Sequence, residues 1–281
     1  MLPSARPTVY LPSAIVALFA ALPAEAQRTE DPARSAADWL ADCRSRSRDW
    51  SWNRETACEV RDTTFRARDG RLTIDGGQNG SVSVHGWDQS EVRVVARMQA
   101  QARSEADARE LLRDIRIEAG TTVRADGARA RRDEGWSVSF DVYVPRRSDL
   151  ELETHNGSIR VVDVEGDIRL DAVNGSVRLA NLAGTVRGGT DNGSVSVALT
   201  GDRWRGDGGL DVRTQNGSVS VDVPDRYNAE LETGTVNGRF DLDFPITVSG
   251  RLGRTISTRL GSGGPRVRVM TTNGSVRLRR G

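Results

Sequence analysis

Residues 156–197 read NGSIRVVDVEGDIRLDAVNGSVRLANLAGTVRGGTDNGSVSV, and this stretch decides the fold prediction. An Asn-Gly-Ser turn followed by Val or Ile begins at Asn156, Asn174 and Asn192, and these three positions are evenly spaced. Asn and Gly both tolerate positive φ, and Asn-Gly is a strong turn signal. Self-similarity at a fixed period indicates a repeat architecture.

The same turn recurs on both sides of this stretch. The intervals from Asn192 to Asn216 and from Asn216 to Asn237 are longer, and we interpret them as the regular step plus small insertions. The interval from Asn237 to Asn273 is twice the regular step, and we interpret it as two units, one of which has lost the motif. The predicted structural turn residues are Asn79, Asn156, Gly157, Asn174, Gly175, Asn192, Gly193, Asn216, Gly217, Asn237, Gly238, Asn273 and Gly274.

Apolar and polar residues alternate between the turns. Val177 and Leu179 flank Arg178, and the other units repeat this order. Because side chains alternate between the two faces of a strand, each unit predicts two short strands with one buried face. The fold prediction is therefore an all-β, right-handed parallel β-solenoid, β-roll-like, with about 18 residues per coil. A β-meander of hairpins is the alternative, and the fixed step favours stacking.

Stacking has two further consequences for the turns. Asparagine side chains of successive coils should hydrogen-bond in a ladder, and a threonine two residues before most of these asparagines should form a second column. We also predict that Gly175→Val is strongly destabilising, because we expect positive φ at this turn.

The chain divides into three predicted segments. Residues 1–26 have a basic start, a short apolar run and an Ala24-Glu25-Ala26 cleavage site, which is the pattern of a secretory signal peptide. The apolar run is too short for a membrane anchor, so we expect no integral membrane segment after cleavage. Residues 27–59 form a polar arm, in which an oxidising compartment favours a disulfide between Cys43 and Cys58. Residues 60–281 form the solenoid domain.

The N-terminal half predicts one short helix. Residues 104–115 begin with the N-cap candidate Ser104 and carry an apolar stripe. The motifs Asn79-Gly80-Ser81-Val82, Gly86-Trp87-Asp88 and Tyr143-Val144-Pro145, together with this helix and the Asn-Gly turns, resemble the bacterial "putative adhesin" family of β-roll repeat proteins. The resemblance covers roughly residues 60–281. It implies a β-solenoid and surface adhesion, and it brings no catalytic residues.

Composition and motifs exclude several classes of function. The net charge of +1 gives no electrostatic footprint for nucleic acid. The Asn-Gly-Ser turns lack the recurring Asp of calcium-binding β-rolls, and the stretch Gly188-Gly189-Thr190-Asp191 is a single partial match. We predict no cofactor and no metal. A group of carboxylates is a candidate for a polysaccharide-active enzyme, but a solvated face explains it better. Asp163, Asp167 and Asp171 lie within one coil, and Glu151 and Glu153 precede them.

The functional prediction is an exported, non-catalytic, adhesin-like binding protein of the envelope or cell surface, acting through an extended β-face. Its ligand is an unknown envelope component, glycan or protein. A periplasmic structural or regulatory scaffold that docks to a membrane partner is the alternative, and a polysaccharide-active β-helix enzyme is the third hypothesis. Trp204 lies in an insertion that breaks the regular step. It either contacts the ligand or folds back over the neighbouring coil.

Overall fold

A computed structural model describes residues 32–46, 54–66, 70–128, 131, 133–243 and 254–281. The predicted signal peptide lies outside the described residues. The described residues contain two helices, α1 (Pro32–Arg46) and α2 (Glu105–Asp114). The strands are β1 (Glu55–Arg66), β2 (Leu72–Asp75), β3 (Val82–Trp87), β4 (Glu91–Ala102), β5 (Arg116–Ala119), β6 (Thr122–Asp126), β7 (Gly135–Pro145), β8 (Leu150–Thr154), β9 (Ile159–Val162), β10 (Glu165–Asn174), β11 (Val177–Ala180), β12 (Ala183–Asn192), β13 (Val195–Ala198), β14 (Gly209–Asn216), β15 (Val219–Val223), β16 (Ala229–Asn237), β17 (Phe240–Leu242), β18 (Thr255–Leu260), β19 (Arg266–Asn273) and β20 (Val276–Arg280).

The strands form two large sheets. Sheet A has the order β1-β4-β7-β3-β9-β11-β13-β15-β20-β17, and sheet B has the order β18-β16-β19-β14-β12-β10-β8-β2-β6-β5. Both contain parallel and antiparallel pairs. One hydrophobic core takes its residues from both sheets, so the sheets bury a shared face. In β11, for example, Val177 and Leu179 are buried while Arg178 is exposed.

The prediction of a single right-handed parallel β-solenoid is wrong. Neighbouring strands from β8 to β14 do pair in parallel, and Asn174 lies opposite Asn192 in that register. Antiparallel pairing, however, joins β1, β4 and β7, and also β5 to β6 and β16 to β18. Alternation of apolar and polar residues reports which face of a strand is buried. It carries no information on the direction or the chain order of the neighbouring strands.

The interpretation of the doubled step from Asn237 to Asn273 is also wrong. Asn273 pairs directly opposite Asn216, and Asn237 pairs with the far side of Asn273. Strands β19 and β20 therefore lie between strands that precede them in sequence, which are β14 and β16 in sheet B and β15 and β17 in sheet A. The segment between Asn237 and Asn273 does not form the expected coil without a motif. It contains β18, which lies antiparallel to β16 at the edge of sheet B.

The helices and the disulfide lie on the N-terminal strands. Helix α2 was expected, and its N-cap Ser104 accepts a hydrogen bond from the backbone N–H of Asp107 at 3.2 Å. Helix α1 was not expected, since the sequence predicted one helix and a polar arm. The predicted disulfide is confirmed: Cys43 in α1 bonds to Cys58 in β1, with their Cα atoms 6.4 Å apart.

Candidate functional site

The Asn-Gly turns lie at one corner, where the chain passes from sheet B to sheet A. Their asparagine side chains form a continuous ladder of exposed amides, each Nδ2 donating to the Oδ1 of the next residue at 2.8–3.1 Å. The order is Asn237, Asn273, Asn216, Asn192, Asn174, Asn156 and Asn79. A second column accompanies it, since threonine hydroxyls donate to glycine carbonyls of the neighbouring turn, as Thr190 does to Gly175 at 2.7 Å. Through these contacts, the side-chain amides and hydroxyls of the turns hydrogen-bond to groups of neighbouring turns.

Trp204 is buried, with 4% of its surface exposed. Its Nε1 donates to the carbonyl oxygen of Gly184 at 2.9 Å, so the side chain folds back over a neighbouring turn. The insertion that carries it is held by Asn228, whose backbone N–H and Nδ2 both donate to the carbonyl of Asp202, at 2.7 and 2.9 Å. Nearby, burial raises the pKa of Tyr227 to about 12. Trp204 and Tyr227 both belong to the hydrophobic core, so the core extends into this corner.

Four of the candidate enzymatic carboxylates lie on the outer face of sheet B, and Asp163 lies apart from them. Asp163 adopts φ +62° at a corner and accepts a hydrogen bond from Asn181 at 2.5 Å. Asp167 pairs with Arg71 at 2.7 Å. Glu153 and Asp171 are register neighbours on the outer face of sheet B, two residues beyond Glu151 and the paired Arg169. Among the described residues, no group of three or more His, Cys, Asp and Glu side chains is arranged to hold a metal ion.

Gly188-Gly189-Thr190-Asp191 lies within strand β12 and not in a turn. A Cβ on Gly188 would come within 1.8 Å of the carbonyl oxygen of Leu170, and one on Gly189 within 1.9 Å of that of Arg213. Glycine at these two positions therefore allows the neighbouring strands to approach closely.

A different feature stands out on the outer face of sheet A. One row of outward side chains crosses strands β7, β3, β9, β11 and β13 in register. We call it the outer row, and its members are Tyr143, His85, Val162, Ala180 and Ala198. It runs from aromatic to small side chains across five adjacent strands, which gives it a length of roughly 19 Å at the usual strand spacing.

An aromatic cluster forms one end of the outer row. The rings of His85 and Tyr143 stack with centroids 5.3 Å apart and planes at 21°. The Trp87 ring tilts against Tyr143 at 5.6 Å and 43°. Trp87 Nε1 donates to the carbonyl of Glu91 at 2.8 Å, which fixes the orientation of the indole. Offset and tilted pairs of this kind are favourable aromatic geometries, so the cluster is preorganised.

Apolar side chains are buried on this outer face although they lie outside the main core. Val95, Tyr143 and Val162 are 1%, 7% and 7% exposed, and none of them belongs to the core between the sheets. The outer face of sheet A thus has a small apolar layer of its own. Outer faces of sheets in water usually carry polar residues, and the departure here marks this face as distinctive.

Charged pairs surround the aromatic cluster. Arg93 makes a bidentate contact to Asp62, and Arg97 pairs with Asp141 at 2.5 Å. On the other side, Arg146 Nε donates to Asp88 Oδ1 at 2.6 Å. This hydrogen bond, and the positive charge of Arg146, lower the pKa of the Asp88 carboxyl.

A polar row runs parallel to the outer row, two residues earlier in each strand. It includes Ser83, Arg160, Arg178 and Ser196 in successive strands, and both arginines are exposed. The arrangement therefore offers aromatic rings and small apolar side chains beside guanidinium and hydroxyl donors. This combination of groups is chemically complementary to ligands that have both apolar faces and hydrogen-bonding edges.

Alternation in the sequence predicted an outward-facing Arg178, but the aromatic cluster was not predicted. Trp87 and Tyr143 appeared only as parts of separate family-like motifs, far apart in the chain. A signal was available, because His85 and Trp87 occupy the outward positions of a strand whose inward positions are Val82 and Val84. Their proximity to Tyr143 depends on the pairing of β3 with β7, which the alternation does not encode.

Comparison with known proteins gives remote likenesses. The fold is similar to a "putative cell adhesion protein" from Clostridium sporogenes, with 9% identity, a TM-score of 0.47, and coverage of 80% of this chain and 100% of that chain. A "putative adhesin" from Parabacteroides merdae has 11% identity and a TM-score of 0.30, covering 78% and 96%. A "putative lipid binding protein" from Parabacteroides distasonis has 10% identity and a TM-score of 0.24, covering 78% and 96%. No family model and no curated protein matches the sequence.

No helix within the described part of the chain has the length and apolar character needed to span a bilayer.

Proposed function

We propose that the protein is an exported, non-catalytic binding protein of the cell envelope or cell surface, and that the outer row binds a glycan. The observation that carries the proposal is the packed aromatic cluster on the outer face of sheet A, in which His85 and Trp87 are partly exposed and stand against the buried ring of Tyr143. Export rests on the signal-peptide pattern of residues 1–26, and the Cys43–Cys58 disulfide supports it, because disulfides persist in oxidising compartments.

The chemistry of the outer row favours a carbohydrate over a protein or lipid ligand. Sugar rings present C–H faces that pack on aromatic rings and hydroxyl edges that accept hydrogen bonds from arginine. The aromatic rings of the cluster lie next to Arg93, and the exposed Arg160 and Arg178 line the neighbouring polar row. A lipid chain would need a larger enclosed apolar surface than a row of two alanines and one valine supplies. A linear glycan fits a shallow row that crosses several strands.

The ligand experiment uses the purified chain and envelope polysaccharides of the producing cell. Binding is measured by calorimetry for the unaltered chain, for Trp87→Ala and for Arg178→Ala. Trp87→Ala should weaken binding by roughly tenfold or more, the scale on which truncation of a hot-spot aromatic acts. Arg178→Ala should weaken it less, because Arg178 is exposed at the edge of the site. Met270→Ala is the matched control, because Met270 is a partly buried side chain on the opposite sheet, B.

Equal binding by Trp87→Ala and the unaltered chain would reject the outer row as the site. Binding to none of the polysaccharides would reject the glycan as ligand. Melting curves of all variants are recorded in parallel, so that a loss of fold is not taken for a loss of contact.

The location of the protein is tested separately. Intact producing cells are treated with protease, and the domain at residues 60–281 is detected with an antibody. Degradation in intact cells supports display at the surface. Protection until the outer barrier is opened supports a periplasmic protein and directs attention to the scaffold alternative.

A further inference from the structure

We propose that the bond between Asn79 and Gly80 is a site of spontaneous deamidation, and that the asparagine ladder protects the other Asn-Gly turns from the same reaction. The ladder has two chemically different ends, because each amide donates from Nδ2 and accepts at Oδ1 in one direction along the stack. Asn79 is the end that only accepts.

Deamidation at an Asn-Gly step needs no enzyme. The backbone nitrogen of the glycine loses its proton and attacks the Cγ atom of the asparagine side chain. A nitrogen–carbon bond forms, the bond from Cγ to Nδ2 breaks, and ammonia leaves with the proton, which closes a succinimide ring. Water then opens the ring to aspartate or isoaspartate. Glycine allows the approach because it has no side chain beside the attacking nitrogen.

Three interior members of the ladder are held at both reacting nitrogens. At Asn192, Nδ2 donates to Asn174, and the following N–H of Gly193 donates to the carbonyl of Asn216 at 3.0 Å. The turns at Asn216 and Asn273 have the same two bonds. The attacking nitrogen must give up one hydrogen bond, and the leaving nitrogen must give up the other, so both bonds raise the barrier.

Asn79 has neither restraint. Within the described residues, its Nδ2 has no hydrogen-bond partner and the N–H of Gly80 donates to none, while its side chain is exposed to water. Its Oδ1 accepts a hydrogen bond from Asn156 Nδ2 at 3.1 Å. A donor at this oxygen stabilises the negative charge that develops when the nitrogen attacks. Asn79 therefore combines a free leaving group, an unbound nucleophile and a polarised carbonyl.

The product also fits at this end of the ladder. An aspartate at position 79 keeps its role as acceptor from Asn156, and the bond becomes charge-assisted. At Asn174 a carboxylate would lose the donor to Asn156 and would face that residue's Oδ1. The ladder therefore tolerates conversion of asparagine to aspartate only at a position whose side chain donates no hydrogen bond to the next asparagine.

Asn156, Asn174 and Asn237 form an intermediate class. The Nδ2 of each donates along the ladder, at 3.1, 2.9 and 2.8 Å. Among the described residues, however, the N–H of the following glycine has no backbone partner at any of these three turns. One restraint is present there, so these residues should convert more slowly than Asn79 and faster than Asn192.

The test is peptide mapping by mass spectrometry, with isoaspartate detection, after incubation of the purified chain at mildly alkaline pH. Asn79 should convert roughly 5- to 30-fold faster than Asn192, Asn216 and Asn273, the range expected from one to two hydrogen bonds. In the urea-unfolded, reduced chain this spread should collapse, because every site is followed by glycine. An interior asparagine that converts as fast as Asn79, or an Asn79 that stays intact while the unfolded chain converts, overturns the proposal.

A pair of variants gives a second readout. Asn79→Asp should keep the melting temperature of the unaltered chain, whereas Asn174→Asp should lower it. Equal losses from both substitutions would show that the ladder does not distinguish its accepting end, and that outcome also overturns the proposal.

Discussion

Gly175 lies directly against Gly157 of the neighbouring turn: a Cβ atom on Gly175 would be 1.9 Å from the carbonyl oxygen of Gly157. The same relationship joins Gly157 to Gly80, Gly193 to Gly175, Gly217 to Gly193, Gly274 to Gly217 and Gly238 to Gly274. Gly175 is not among the residues with positive φ, so the backbone strain expected from the sequence is absent. Close stacking of the backbones, and not turn conformation, requires glycine here.

Gly175→Ala should therefore destabilise the protein as a steric effect, with Gly175→Val worse. We expect a loss of more than about 2 kcal/mol for the alanine variant, because backbone neighbours cannot move aside as side chains do. The matched control is Gly120→Ala, since a Cβ on Gly120 would meet nothing within 4 Å and its φ is not positive. Chemical denaturation measures both. Equal unfolding free energies for the two variants would contradict the stacking explanation.

Trp204→Ala should reduce the free energy of unfolding by about 3–5 kcal/mol, the usual cost of truncating a buried tryptophan. Trp204→Phe should cost less, because it keeps most of the apolar volume and loses the bond to the Gly184 carbonyl. The neighbouring Arg203 is exposed, so Arg203→Ala serves as control. If Trp204→Ala instead kept full stability and lost ligand binding, Trp204 would be a contact residue.

Replacing both Cys43 and Cys58 by serine should lower stability by about 3 kcal/mol, since the bond closes a loop with a sequence separation of 15. The effect should fall on α1, which the disulfide attaches to β1. Hydrogen exchange of the α1 amides, compared with those of α2, measures it. Unchanged protection of α1 in the double variant would show that noncovalent packing suffices to hold the helix.

Glu232 should contribute a pH-dependent part of the stability. Burial alone would raise the pKa of its carboxyl, but hydrogen bonds and charges from Arg266 and Arg268 lower it below the ordinary value of 4.5. A group whose pKa is depressed in the folded state stabilises the protein above its unfolded pKa. That contribution is lost as the pH falls through the folded pKa.

The difference in unfolding free energy between the unaltered chain and Glu232→Gln should thus be largest near neutral pH and shrink below about pH 4.5. Denaturation curves at several pH values measure it. Replacing Arg266 and Arg268 together by glutamine should abolish the difference. A difference that grows on acidification would reverse the assigned sign.

The sequence predicted the buried faces better than the connections. Val177 and Leu179 are buried where alternation put them, and Ser104 caps the expected helix. Strand direction was not predictable, because it depends on contacts between distant segments such as β1 and β4. Helix α1 was missed because residues 27–59 are polar and lack a clear apolar stripe, and its position is fixed in part by Cys43.

The candidate site was less predictable than the fold. Trp204 was a candidate contact residue because it lies in an insertion that interrupts the regular repeat, but its side chain is buried. Trp87 and Tyr143 come together through the pairing of strands that are distant in sequence. Spacing along a chain identifies recurring turns, whereas a surface built from several strands needs the order of those strands.

That order also constrains how the molecule is assembled. Strands β19 and β20 fill places between β14 and β16 and between β15 and β17, although they follow all four in the sequence. Growth by adding one layer after another from the N-terminal side cannot produce this arrangement. Strand β16 pairs with β19, and β17 pairs with β20, so these two strands cannot join the preceding strands of their sheets until β19 and β20 are in place. Removing β19 and β20 would therefore separate β16, β17 and β18 from the remaining strands of the two sheets, so both sheets are complete only after this late segment has joined them.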